Sequence, residues 1–426
     1  MRLLSTIDIK IKKGSFPLLM DMVYRENCTI QKAELSITSG VEEEFLLEIS
    51  YNRRDNLKSL VKKIYDNDNF KLNSVSSHLE KEIAGGLLTV SGKMPLNDYN
   101  DYQIGILGAY DLIFEKINEL NGTEFTGISK SVGLISGIKE NDDILEEDIL
   151  KIYARSEADS ALIHRFSGLN GYPLIISYSP VEDLIKTIQR IERSFSIIKI
   201  MNTDEIDMSV YDQLTSNVSV PVVSREMDDI PIYLLSLINR IISKSGLALE
   251  ETTIGFMGVD ISAIRITGLL MRMGLRRVLG YDSNEKVLLS LENLGGMATT
   301  GENIFSNSDI IIFFKDILSR EEYKNVRPGQ YLISLFTRDD IDVRKIFEKG
   351  VKKFIPLDDM SYSVISPGLL TGVLSSGYKY IDDMRVIEIS RKLVDLLDDD
   401  YKFPDLFGDI HSRVSELVIQ SSARED

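Results

Sequence analysis

Thr253-Ile254-Gly255-Phe256-Met257-Gly258, then Ile264 to Met273, then Arg277-Val278-Leu279-Gly280-Tyr281-Asp282 is the stretch on which the fold turns. The first run is a continuous apolar strand ending in glycine, the second an apolar helix, the third a strand ending in an acid. A strand, a turn glycine, a helix, a strand and a carboxylate 24 residues after Gly258 form the layout of one half of a dinucleotide-binding sheet. Asp309 to Phe314 and Gln330 to Leu335 supply further buried strands, so a parallel, doubly wound sheet is predicted over 247–426. Gly258 and Asp282 are its candidate cofactor-binding residues.

The phosphate loop is incomplete. GxGxxG needs its second glycine for close backbone approach and its third for helix packing. Here the six residues are Gly258-Val259-Asp260-Ile261-Ser262-Ala263, with an acid in the second place. A carboxylate about 5 Å from a pyrophosphate costs roughly 3 kcal/mol at an effective dielectric near 20. The competing reading makes Asp260 a helix N-cap in a sheet kept for its packing.

Upstream lies a second α/β pattern. Tyr172 to Tyr178, Ile197 to Met201 and Val220 to Val223 read as strands, and Val181 to Ile191 and Ile232 to Ser243 as helices. Gly246 and Glu250-Glu251 then punctuate the chain, which places the second domain at 81–246. Before it, residues 139–150 form an acidic run feeding a helix, most simply a solvated face. The first eighty residues alternate differently. Strands at Leu3–Ile9, Ile30–Ile37, Phe45–Tyr51 and Phe70–Val75 and helices at Phe16–Val23 and Leu57–Tyr65 give βαββαβ, the split βαβ unit.

The 426 residues carry 49 Lys+Arg against 66 Asp+Glu, a net charge of −17. Phosphate backbones repel such a surface, so no nucleic-acid partner is expected. The single cysteine, Cys28, allows no internal disulfide, and His78, His164 and His411 are too scattered for a histidine metal motif. No apolar run is long enough for a membrane span and no cleavable leader pattern is present, so a cytoplasmic location without membrane contact is expected.

The N-terminal unit resembles an ACT domain, a small-molecule sensor. Its glycine before the first helix stands at Lys13-Gly14-Ser15-Phe16, and the resemblance implies Gly14 and Ser15 as a ligand site. A turn glycine in a domain that serves dimerisation is the plainer alternative.

Two longer stretches resemble the malic enzymes. Ser160-Ala161-Leu162-Ile163-His164-Arg165-Phe166-Ser167-Gly168-Leu169-Asn170-Gly171-Tyr172-Pro173 is similar to their ALLFKKFAGIDAFPI segment and runs in phase to Val220-Pro221-Val222. Ser366-Pro367-Gly368-Leu369-Leu370-Thr371-Gly372, Ile381-Asp382-Asp383-Met384 and Phe403-Pro404-Asp405-Leu406-Phe407 look like their FPGIFRGAL, ITDEM and PDLFD segments. Lys93-Met94-Pro95-Leu96 looks like the linker opening the family's first catalytic domain, so the resemblance covers about 80–425. It implies NAD or NADP with Mg or Mn as cofactors of an oxidative decarboxylase of malate.

Position by position, the chemistry is replaced. Oxidation and decarboxylation of malate needs an acid, a base and a divalent metal. In phase with the family's tyrosine acid stands Ile106, and with its lysine, Asp159. The family's paired carboxylate ligands fall on Met201 and Asn202, its third ligand region on Arg225 and Glu226, and its dinucleotide-facing asparagine on Phe336 or Thr337. Five losses would need five different alignment slips to rescue them. The implied protein is a homologue that has lost catalysis, needs neither cofactor nor metal, and serves as a regulator or ligand sensor. The expected partners are a second copy or more of itself, a small-molecule ligand, or an active malic enzyme paralogue. The alternative is a working NAD(P)-dependent malate oxidoreductase with a rebuilt site drawn from Tyr110, Asp159, Asp204, Glu205, Glu226 and Asp228.

Overall fold

The computed structural model describes residues 3–38, 41–78, 97–120, 124, 126–140, 146–202, 208–315, 325–335, 343–357, 361–404 and 406–421. Lys93–Leu96, Asp204, Glu205, Phe336 and Thr337 lie outside them. The chain divides into two compact units, Met1–Thr89 and Val90–Asp426.

In the first unit, β1 (Leu3–Lys12), β2 (Cys28–Thr38), β3 (Glu42–Tyr51) and β4 (Phe70–Ser77) form one antiparallel sheet in the order β2-β3-β1-β4. α1 (Phe16–Arg25) and α2 (Arg54–Tyr65) are the two connecting helices. The period-two alternation of β1 buries Ile7, Ile9 and Ile11, while Leu19 and Val23 of α1 and Leu60 and Ile64 of α2 complete the same core. Pro17 sits in the first turn of α1, where its missing N–H costs nothing. Gly14, at φ +87°, turns β1 into α1.

The second unit holds two parallel sheets. β5 (Ser131–Lys139), β6 (Asn170–Tyr178), β7 (Ile197–Asn202) and β8 (Val222–Ser224) run in the order β6-β5-β7-β8. β9 (Thr253–Met257), β10 (Arg277–Tyr281), β11 (Met297–Ala298), β12 (Ile310–Phe313), β13 (Tyr331–Ser334) and β14 (Lys353–Pro356) run in the order β11-β10-β9-β12-β13-β14. That is the doubly wound strand order, with the direction of winding reversing between β9 and β12. β9, β12 and β13 are buried at every residue, as strands covered on both faces must be.

One apolar core joins the two sheets. The helix Ile230–Ser245 buries ten side chains, Ile230 through Ile238 without a break and then Ile241, and shares this core with Val132 and Leu134 of β5 and Ile254 and Phe256 of β9. A helix apolar on every side belongs in an interior. Gly246 ends it at φ +71°. Among the described residues no helix is long and apolar enough to cross a membrane.

Candidate active-site crevice

The candidate site lies at the carboxyl ends of β7 and β8 and of β9, β10 and β12, the ends at which parallel sheets hold ligands. On its β7–β8 side two rings of hydrogen bonds fasten the segment Ser361–Ser376, one to the helix Glu146–Ser167 and one to β7. In one, Arg155 Nε donates to Asp159 Oδ2 at 2.8 Å, Arg155 Nη2 to Ser363 Oγ at 2.9 Å, and the Ser363 hydroxyl to Asp159 Oδ1 at 3.0 Å. Arg155 and Asp159 are one turn apart on the helix Glu146–Ser167, the spacing at which an ion pair closes. Asp159 is 2% exposed, so a neutralising partner is obligatory.

In the second ring Lys199 of β7 donates to Asp229 and to Ser366, and the Ser366 hydroxyl donates to the same Asp229 oxygen. All three are buried, Lys199 and Asp229 at 1% exposure. These rings were not foreseen from the sequence. A lysine in the middle of Ile197-Ile198-Lys199-Ile200-Met201 was the available signal, because a buried ammonium must find a carboxylate.

Between the sheets runs Ser224–Asp229, a π-helical turn capped by Ser224, whose Oγ accepts from the Met227 N–H at 3.2 Å. Asp228 Oδ2 accepts the Tyr211 hydroxyl at 2.8 Å and the Ser224 N–H at 2.7 Å. Burial pushes its carboxyl up to about 7, with those two bonds and Arg265 opposing. Burial also carries Glu226 to about 7, against the pull of Arg225 and with Asp260 and Asp229 adding repulsion. Tyr211 is pushed well above the phenol range by burial and by Asp228.

On the doubly wound side, Asp260 caps the helix Ile261–Arg272, its Oδ1 accepting from the Ala263 N–H at 2.8 Å. Burial raises its carboxyl to about 6, held back by that N–H and by Lys315. Asp282, at the end of β10, accepts from the Val259 N–H at 2.9 Å, the Asn284 N–H at 2.8 Å and Lys315 Nζ at 2.7 Å. Burial works against its charge, yet Lys315 and the two N–H groups outweigh it and hold the carboxyl below the usual range.

The candidate residues fall at several places in the fold. Ile106 lies in the π-helical turn Tyr102–Leu107 and is 40% exposed. Tyr110 is 65% exposed and stacks on Phe114, one turn away. Met201 is buried in the apolar core, and Asn202 ends β7. Arg225, where the resemblance sets the third ligand region, opens the π-helical turn and pairs with Glu226 at 3.9 Å. A thioether in the core and a guanidinium do not suit Mg or Mn, which take oxygen donors. Among the described residues no group of three His, Cys, Asp or Glu is arranged for a metal. Each histidine has a hydrogen-bond partner: His78 meets Thr6, His164 meets Asn170 and His411 meets the Leu406 carbonyl. In the first unit, a Cβ at Gly14 would meet nothing within 4 Å, and the Ser15 side chain makes no cap bond.

No family model matches the chain. It is 23% identical over 322 residues, 72% of each chain, to NAD-dependent malic enzyme 1 of Bacillus subtilis (strain 168). Among solved structures it is similar to a malic enzyme of Entamoeba histolytica, with a TM-score of 0.69 at 15% identity over 82% of this chain and 80% of that one. It is similar too to an NAD-dependent malic enzyme of Thermotoga maritima, with a TM-score of 0.68 at 15% identity over 80% of this chain and 98% of that one. The chain thus has the fold of these malic enzymes and a sequence similar to that of one of them.

Proposed function

We propose that the protein is a malic-enzyme-like homologue that has lost catalysis and serves as a regulatory or ligand-sensing protein. The observation that carries this reading is Asp159. The place where the resemblance puts a lysine holds a buried acid, both of whose oxygens are committed to Arg155 and Ser363. It offers no free base, and Ile106 offers no proton. With Met201, Asn202 and Arg225 at the ligand places, no cation polarises a carbonyl.

The N-terminal unit supports the sensing half of the proposal. Its topology and the left-handed Gly14 before α1 suit an ACT-like domain that takes a small molecule at Gly14 and Ser15. Further proposed partners are a second copy of the chain and an active malic enzyme paralogue.

The test is formation of NADH or NADPH from malate by the purified chain, with excess manganese and a metal-free control. The expected outcome is no turnover, and none from Asp159→Lys, since the metal ligands would still be missing. Metal-dependent turnover above about 0.1 per second, against a median enzyme near 10 per second, overturns the proposal.

A further inference from the structure

We infer that the dinucleotide crevice of this protein is occupied by its own side chains: Lys315 and Asp260 satisfy the two groups with which such a crevice would grip a cofactor. The sheet order places β9 between β10 and β12. Lys315 leaves the end of β12 and lies over Gly258, where an added Cβ would come within 2.6 Å of the lysine's own Cβ. From there its side chain crosses the mouth of β9 to the end of β10, and Nζ donates to Asp282 Oδ2 at 2.7 Å. The lysine thus spans the strand ends at the switch point, the ground on which a dinucleotide rests.

Asp282 is the acceptor that a ribose diol would need. Its side chain is 4% exposed, and both oxygens are already engaged, Oδ2 by Lys315 and the Val259 N–H and Oδ1 by the Asn284 N–H. The other grip is the helix N-terminus, whose free N–H groups would bind a pyrophosphate. Asp260 already sets a carboxylate at that pole, accepting from the Ala263 N–H at 2.8 Å. A pyrophosphate would be a second anion at one positive pole. At neutral pH the pyrophosphate must face that charge or force a proton onto a carboxyl that burial has raised to about 6, which lowers affinity by about tenfold. The ribose acceptor and the phosphate donor are therefore satisfied internally, and the chain needs no nucleotide to complete this half of its fold.

This deepens the proposal of lost catalysis but fails separately from it. Nucleotide binding without malate turnover would sink the inference and leave the proposal standing. The experiment titrates the full chain with NADH, read by nicotinamide fluorescence, which no tryptophan emission confuses because the chain has none. NAD⁺ and NADP⁺ are titrated by calorimetry. The wild-type chain is expected to show no saturation below about 1 mM, and Lys315→Ala/Asp260→Gly to bind NADH with a Kd below about 0.1 mM. Glycine is tolerated at an N-cap at a loss of only a few tenths of a kcal/mol, so the helix should persist, and a thermal melt checks it. If the double variant does not fold, Lys315→Ser, which keeps the cap, is read instead, with an expected gain of about tenfold or more. Saturation of the wild-type chain at micromolar NADH, NAD⁺ or NADP⁺ overturns the inference, as does a folded variant that binds no better than wild type.

Discussion

Replacing Lys199 with methionine removes one charge from a place where no water can compensate the other. Methionine fills much of the same volume, so the effect reads the charge rather than a cavity. Asp229 would keep the Ser366 hydroxyl, while its second oxygen has no hydrogen-bond partner among the described residues. A buried pair broken from one side costs about 3–5 kcal/mol, chiefly because the surviving ion is stranded. For the compact unit of residues 90–426 the unfolding entropy, at about 2.1 cal/mol/K per residue, is near 0.7 kcal/mol/K, so Tm should fall by about 4–7 °C. Lys199→Met/Asp229→Leu removes both ions and should recover most of that loss, since apolar replacement of a whole buried pair is neutral or stabilising. The assay is thermal unfolding of wild type, both singles and the double, followed by circular dichroism. A fall below about 1 °C for the first single, or a double less stable than either single, would refute the placement of a buried ion pair at Lys199.

Two other outcomes are expected. Burial raises Glu226 and Asp228 to about 7, so the folded chain holds these protons more tightly than the unfolded one. Their stabilising effect is present in full below the ordinary carboxyl range and is lost as pH rises through about 7, with a slope of up to about 1.4 kcal/mol per pH unit for each group. Tm should therefore fall between pH 5.5 and 7.5, and fall less in Glu226→Gln; an equal rise in both proteins would contradict the burial of these acids. Tyr110 and Phe114, stacked one helical turn apart and 65% and 60% exposed, are an apolar pair that a second copy would cover. Light scattering at micromolar concentration should give at least twice the 48.1 kDa chain, with Tyr110→Glu/Phe114→Glu shifted to monomer; a clean wild-type monomer speaks against the dimer.

The doubly wound half was legible because its signals are local. Thr253–Gly258 and Arg277–Asp282 carry strand, glycine and acid within one short span, and Asp260 takes the N-cap bond that an acid three residues before Ala263 can make. The same holds for the βαββαβ order of the first unit, whose apolar periods switch cleanly between two and 3.6. β5, an interior strand of its sheet, carries no such local signal. Ser131-Val132-Gly133-Leu134-Ile135-Ser136-Gly137 has a mixed pattern, and only packing explains Gly133, where an added Cβ would meet the Phe195 ring at 3.1 Å. The positions that the resemblance sets at the family's site, Ile106, Asp159, Met201 and Arg225, could be read from a motif, because a motif is a fixed spacing along the chain. What such residues bond to could not. Asp159 reaches Ser363 across 204 residues, Lys199 reaches Ser366 across 167, and Lys315 reaches back 33 to Asp282. Those partners are chosen by which buried charge has a counter-charge within reach once the sheets and helices have packed, and no local pattern of residues encodes that choice.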